Sequence, residues 1–266
     1  MGVEYTLANE AIIHRIGISS QWVPTTSPSS AQSTQPPKKS NNEQVHPPPP
    51  SPSTHQLTTP SPKKILSLLQ KSAREYYSQA SSKCTTWSYF LPFPPPKKPD
   101  TPLLIGGLEI YTDKNALQKQ IDDPVYFQSF QEIVKKEGLC VKEDELVAWY
   151  LTEGFVARGE HARPFGGNLI SLSRSFVPFV KEKEPFVLTY AVFTRPKAPK
   201  ELLLYVRYTD SKGMQSHSKA PEHVEVVKEI MKHTEGHMSK STTIWKEVDD
   251  SFVSTVEGGP TDSSKL

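Results

Sequence analysis

The sequence has few cysteines, no long apolar run and no excess of charge of either sign. Its two cysteines, Cys84 and Cys140, form no metal or redox spacing and read as bystander thiols of a reduced compartment. Lys and Arg number 31 against 29 Asp and Glu, a formal charge of +2, which leaves no electrostatic footprint for nucleic acid. No stretch approaches the roughly 20 apolar residues of a membrane-crossing helix. Nothing near Met1 reads as a secretory leader.

Proline is plentiful, at 25 residues, and unevenly spread. Residues 22–63 consist largely of Ser, Thr, Pro, Gln and Asn, with Pro47–Pro50 unbroken. So little apolar surface cannot offset the conformational entropy of folding. The stretch is expected to be disordered, with polyproline II character, serving as a spacer or as an SH3 or WW ligand. Residues 1–21 show no clear period and are either a strand of the folded part or a dispensable end. On this reading, deleting residues 1–60 leaves the core intact. At 266 residues the chain allows one large domain or two small ones.

Order is expected from Ser61-Pro62-Lys63, a serine cap followed by proline at the first helical position. Ile65, Leu66, Leu68, Leu69, Ala73, Tyr76 and Tyr77 follow at helical spacing. Trp87, Tyr89, Leu91 and Phe93 alternate as a strand does, Leu103–Tyr111 reads as a second, and Glu145–Leu151 as a third. Between the last two, residues 113–138 read as a helix interrupted near Asp123-Pro124. The order then recurs: a helical pattern over 169–183 weakened by Pro178, strands over 186–193 and 202–208, a helix over 210–233 and a closing strand over 242–248.

The recurrence has a fixed offset. Tyr111-Thr112-Asp113 matches Tyr208-Thr209-Asp210, and Pro124 matches Pro221. The apolar positions Leu117, Phe127, Phe130 and Ile133 match Met214, Val224, Val227 and Ile230. Trp149 meets Trp245 after a slip of one, and Phe155-Val156 meets Phe252-Val253. Apolar matches alone arise between any two amphipathic helices, but anchors at both ends signal an internal duplication. Each copy reads as a ferredoxin-like α+β unit, and two copies protect their sheets by packing face to face. The expected organisation is a mostly disordered N-terminal region (1–62), a first unit (63–157), a connector (158–168), a second unit (169–256) and a flexible tail (257–266).

In the second copy Tyr205-Val206-Arg207-Tyr208 ends a strand, and Asp210-Ser211, Met214-Gln215-Ser216-His217 and Ala220-Pro221-Glu222-His223 follow. This succession resembles the dimeric α+β barrel superfamily, specifically its antibiotic-biosynthesis-monooxygenase-like (ABM) domains, over residues 64–256. The stress-responsive barrel and EthD-like families share the architecture. The resemblance implies an intramolecular α+β barrel pseudo-dimer. It also implies, for active members, oxidation of phenolic or polyketide-like molecules without metal, flavin or haem; other members have no established chemistry.

His217 occupies the family's histidine position and is the candidate base, since an imidazole titrates near neutrality. Its plainer role is to hydrogen-bond a backbone carbonyl and tie its helix to the sheet. His223, Trp245, Tyr208 and Tyr190 are the candidate substrate-binding residues; the bland alternatives are a solvated cap neighbour for His223 and core packing for the aromatics. A metal pair of His217 and His223 lacks a third ligand, so no metal is expected; the resemblance implies no cofactor either. In the first copy Gln120 and Tyr126 stand at these two positions, and a glutamine is no base, so that copy is expected to be scaffold. His233 and His237 suit a helix C-terminus. Arg158 and Arg163 flank a connector that is either a plain link or a lid meeting an acidic substrate, and Gly166-Gly167 is too short for a phosphate loop. The chain closes on Ser264-Lys265-Leu266, a peroxisomal import tripeptide read by a receptor. The expected partners are thus that receptor and a hydrophobic or aromatic small molecule, with neither nucleic acid nor a membrane span. A loose myristoylation pattern at Gly2 is discounted, because one acyl chain anchors only marginally.

Overall fold

A computed structural model describes residues 10–18, 62–97, 103–140, 145–160, 173–195, 202–232 and 242–260. The fold is α+β: two ferredoxin-like units joined in one chain as a barrel pseudo-dimer. The first unit opens with strand β1 (Glu10–Ile18). Helix α1 (Pro62–Ser72) follows and runs on through a π turn, Ala73–Tyr77. Ile65, Leu69, Ala73 and Tyr77 are buried along α1 and this turn. A stripe recurring every fourth residue outruns the 3.6-residue helical period. The wider turn, closed by Ser78 N–H donating to the Ala73 carbonyl at 3.0 Å, absorbs the difference.

Strands β2 (Cys84–Pro92) and β3 (Leu103–Tyr111), helices α2 (Lys114–Ile121) and α3 (Phe127–Lys136), and strand β4 (Glu145–Phe155) complete the unit. Its antiparallel strands lie in the order β4-β1-β3-β2. The second unit supplies α4 (Ser173–Lys183), β5 (Val187–Thr194), β6 (Leu202–Tyr208), α5 (Ser211–Lys219), α6 (Pro221–Met231), β7 (Trp245–Glu247) and β8 (Val253–Ser254). The shared Tyr-Thr-Asp tripeptide ends a strand and caps a helix in both places. Asp113 accepts the Ala116 N–H at 2.9 Å, and Asp210 accepts the Gly213 N–H at 2.8 Å.

The strand registers correspond too. β2 slips against β3 between Cys84 and Thr86, and β5 slips against β6 between Val187 and Thr189. Trp87 then stands opposite Glu109, as Tyr190 stands opposite Val206. The two units exchange their last strands. β4 pairs with β1 up to Tyr150 and with β5 beyond it. In return, β7 and β8 pair with β2. At the ends of the resulting sheet, Arg207 of β6 grips Glu247 of β7 with two bonds of 2.7 and 2.9 Å.

Three apolar clusters follow from this layout. Phe90, Leu108, Ile110, Leu151 and Phe193 fill the space inside the barrel. The other face of β2 and β3 packs on α1 with Trp87, Tyr89 and Ile105. The other face of β5 packs on α4 with Tyr190 and Val192. No helix among the described residues is long and apolar enough to cross a membrane.

Several expectations change. The first unit starts at β1, not at residue 63, because β1 is the strand between β3 and β4. β2 stops at Pro92, leaving Phe93 exposed. The closing strand is two short pieces rather than one. The helix expected over 210–233 breaks at Ala220, which stands before Pro221 with an extended ψ of 131°. Pro178 lies inside α4 on an exposed position and sacrifices one backbone bond without ending the helix. Ser61, His233, His237, Arg163, Gly166-Gly167, the stretch 19–61 and the tail 261–266 lie outside the described residues.

Candidate functional site

Each unit packs a cluster of aromatic rings between its sheet and its helices, and the two clusters differ chemically. In the second unit α5 brings His217 against α4, and both His217 and Glu184 are buried. His217 Nδ1 bonds Glu184 Oε2 at 2.5 Å. A carboxylate can only accept, so in this bond Nδ1 is the donor. Rings surround the imidazole: Phe176 at 5.9 Å, Tyr190 at 6.0 Å, Tyr208 at 5.6 Å and His223 at 4.4 Å between centroids. Burial, and then the neighbouring His217, push the His223 imidazole below its usual range, with a weaker opposing effect from the Ser218 backbone. Its Nδ1 is buried and makes no hydrogen bond among the described residues. Burial raises the Tyr190 and Tyr208 hydroxyls, and the charge of Glu184 adds to both effects.

Four of the five residues expected to act together therefore meet: His217, His223, Tyr208 and Tyr190. Trp245 does not join them. It lies in the cluster inside the barrel, with its ring 5.2 Å from Phe90 and its indole N–H bonded to Thr243 at 2.9 Å. Sequence reading missed Glu184, whose only signal is a carboxylate just before Pro185 at the end of a helix. Arg158, read as part of either a plain link or a lid, is engaged here as well. The guanidinium donates to the carbonyls of Val187 at 2.7 Å and Glu184 at 3.0 Å, and to that of Lys181. These include carbonyls that the end of α4 leaves without helical partners, so Arg158 clamps the base of the Glu184 turn.

In the first unit Gln120 takes the place of His217. Its amide N–H donates to the Tyr77 hydroxyl at 2.5 Å, and its oxygen bonds Tyr111. Tyr111 also bonds Glu109, whose other oxygen accepts the Trp87 indole N–H at 2.9 Å. The charge of Glu109 adds to burial in raising Tyr77 and Tyr111 well above the usual phenol range. Tyr77 stacks on Trp87 at 4.5 Å and meets Tyr76 edge-on at 5.1 Å. A cavity of about 50 Å³ opens here, lined by Tyr76, Trp87, Tyr89, Glu109, Tyr126 and Phe130 among others. The space is partly open, and Glu109 is a buried carboxylate in its wall. The sequence signal was Glu109 itself, a lone charge in the apolar run Leu103–Tyr111. Among the described residues no group of three or more His, Cys, Asp and Glu is arranged to hold a metal ion.

No family model matches the chain, and no curated protein matches it either. Solved structures do. A monooxygenase candidate from Lactobacillus acidophilus NCFM superposes with a TM-score of 0.54 at 10% identity, over 93% of this chain and 96% of that one. A second, from Fusobacterium nucleatum subsp. nucleatum, superposes at 0.51 with 9% identity, over 96% and 97%. At such identities the likeness speaks to the fold alone: the described residues form a two-unit α+β barrel, and each superposition spans nearly all of both chains.

Proposed function

We propose that this chain, a tandem duplication of one ABM-like unit, is a cofactor-independent monooxygenase acting on an aromatic or polyketide-like small molecule. One observation carries the reading: the His217–Glu184 pair, bonded at 2.5 Å and enclosed by aromatic rings. Glu184 orients the imidazole and stabilises its protonated form, as a buried carboxylate does for a general base. His217 Nε2 takes a proton from an activated ring CH₂ flanked by a carbonyl. The resulting carbanion is electron-rich enough to reduce O₂, and the two combine as a hydroperoxide. Loss of water leaves C=O where CH₂ stood, so one O₂ yields one carbonyl oxygen and one water. The rings flatten and position the substrate and exclude bulk water. The monooxygenase class of the two structural neighbours supports the reading.

Oxygen uptake over a panel of phenols and anthrones tests it. Turnover by the intact protein is expected, with His217→Ala losing about 10²–10⁴-fold in kcat, the usual contribution of a general base. Glu184→Gln should lose less and shift the pH profile. Equal turnover by His217→Ala removes the histidine from the mechanism. Binding without oxygen uptake favours the second reading, a non-catalytic carrier of such molecules, which is motivated by the cavity lying in the first unit.

The proposed place of action is the peroxisome, through Ser264-Lys265-Leu266. A fluorescent protein extended by residues 258–266 should enter peroxisomes and stay cytosolic without Leu266. Cytosolic location with the tail intact rejects the address.

A further inference from the structure

We infer that the first-unit cavity is a second ligand site, separate from His217, which takes a small uncharged aromatic molecule through an oxygen facing the Tyr89 hydroxyl. Tyr89 is only 2% exposed, and its hydroxyl has no hydrogen-bond partner among the described residues. An unpaired buried hydroxyl costs about 1–3 kcal/mol, and Tyr89 lines the cavity where a ligand atom would relieve that cost. Burial, with a lesser push from Asp250, lifts the phenol to about 12 even though Arg74 opposes the shift.

The walls set the rest of the ligand's character. Tyr76, Tyr126 and Phe130 face Trp87 and Tyr89 across the space, which suits a flat ring. Glu109 is fixed in the wall by the Trp87 N–H, and its charge is felt by Tyr76, Tyr77 and Tyr111. A carboxylate held in a wall of low polarity repels any anion brought beside it. No lysine, arginine or histidine is among the described residues lining the cavity. The ligand is therefore an uncharged ring bearing a hydroxyl or carbonyl, entering a pocket that is partly open.

These groups are peculiar to the first unit. By strand register the counterpart of Glu109 is Val206, and that of Tyr89, two residues beyond Trp87, is Val192, two beyond Tyr190. Neither valine can select charge or bond an oxygen. The two clusters have diverged, one toward a histidine pair and the other toward a carboxylate and a free phenol.

Calorimetric titration with phenol, toluene and benzoate tests this on the full chain. Phenol should bind about tenfold more tightly than toluene, the worth of one hydrogen bond in a buried setting, and benzoate should not bind. Tyr89→Phe should bring phenol down to the level of toluene while leaving toluene unchanged. That variant loses only an unpaired hydroxyl, so its melting temperature should hold or rise. Glu109→Gln should admit benzoate. Equal binding of phenol and toluene, binding of benzoate to the intact protein, or an unchanged phenol affinity in Tyr89→Phe would each overturn the proposal.

Discussion

A chain lacking its first 18 residues will not reach the native barrel. Nine residues of β1, Glu10–Ile18, pair with β3, and Glu10–Arg15 pair with β4 on the other edge. Removing them strips backbone bonds from two strands at once and leaves two facing edges of unpaired N–H and C=O groups. Buried backbone groups are nearly always paired, and raw edges recruit other chains. The loss exceeds the roughly 5–15 kcal/mol by which a domain is stable. The expected outcome is aggregated material, or soluble material without a cooperative thermal transition by circular dichroism. Replacing residues 22–56 by a Gly/Ser linker of about 20 residues should cost about 1 kcal/mol or less, since loop closure depends only weakly on length. Cooperative melting of the 18-residue truncation within a few degrees of the full chain would show β1 to be dispensable.

The second large effect is expected at the seam between the units. Gly154 lies in β4 opposite Ala191 of β5, just past the point where β4 leaves β1 for the other unit. Its φ of +95° is a conformation that side chains rarely adopt, and a Cβ built there falls 1.9 Å from the Tyr190 carbonyl oxygen. The strand slips register immediately before it, between Leu151 and Glu153, and the glycine absorbs the twist this imposes. Gly154→Ala therefore has to bear backbone strain of about 1–3 kcal/mol as well as a clash with backbone, which cannot rotate away as a side chain can. A loss of about 3–5 kcal/mol follows, or about 10 °C in Tm at this chain length. Tyr190 carries both the obstructing carbonyl and a ring of the His217 cluster. Ring shifts around His217 should accompany the loss, visible in histidine NMR. An unchanged melting temperature would show that the seam relaxes freely.

Much of the fold was legible in local signals. The strand Leu202–Tyr208 falls where its pattern predicts, and so does the helix break near Pro124. The Tyr-Thr-Asp anchor is a strand end and helix cap in both copies, a local device that any reading of cap chemistry finds. What failed to show was non-local. β1 is separated from α1 by the Pro-rich stretch and belongs to the sheet only through pairings with residues about a hundred positions away. Among the site residues, His217 and His223 were legible as a spacing, and their meeting at 4.4 Å follows from adjacent helices. Glu184 was not, since it comes from another element, 33 positions earlier.

By itself the sequence determined the class of fold, the Tyr-Thr-Asp tripeptide that ends a strand and caps a helix in both units, the histidine that one unit has and the other lacks, and a closing tripeptide with the form of a peroxisomal address. Those are properties of spacing and residue type, fixed by periodicity, caps and composition. The tertiary structure decided that β1 sits at the heart of the first unit, that Glu184 orients His217, and that Trp245 stands on the other side of the sheet from that histidine. It also decided that the space lies beside Glu109 and Tyr89, in the unit without the histidine. Burial, enclosure and unpaired polar atoms arise only when distant segments pack, because each depends on what the rest of the chain leaves beside a residue and not on its neighbours in sequence.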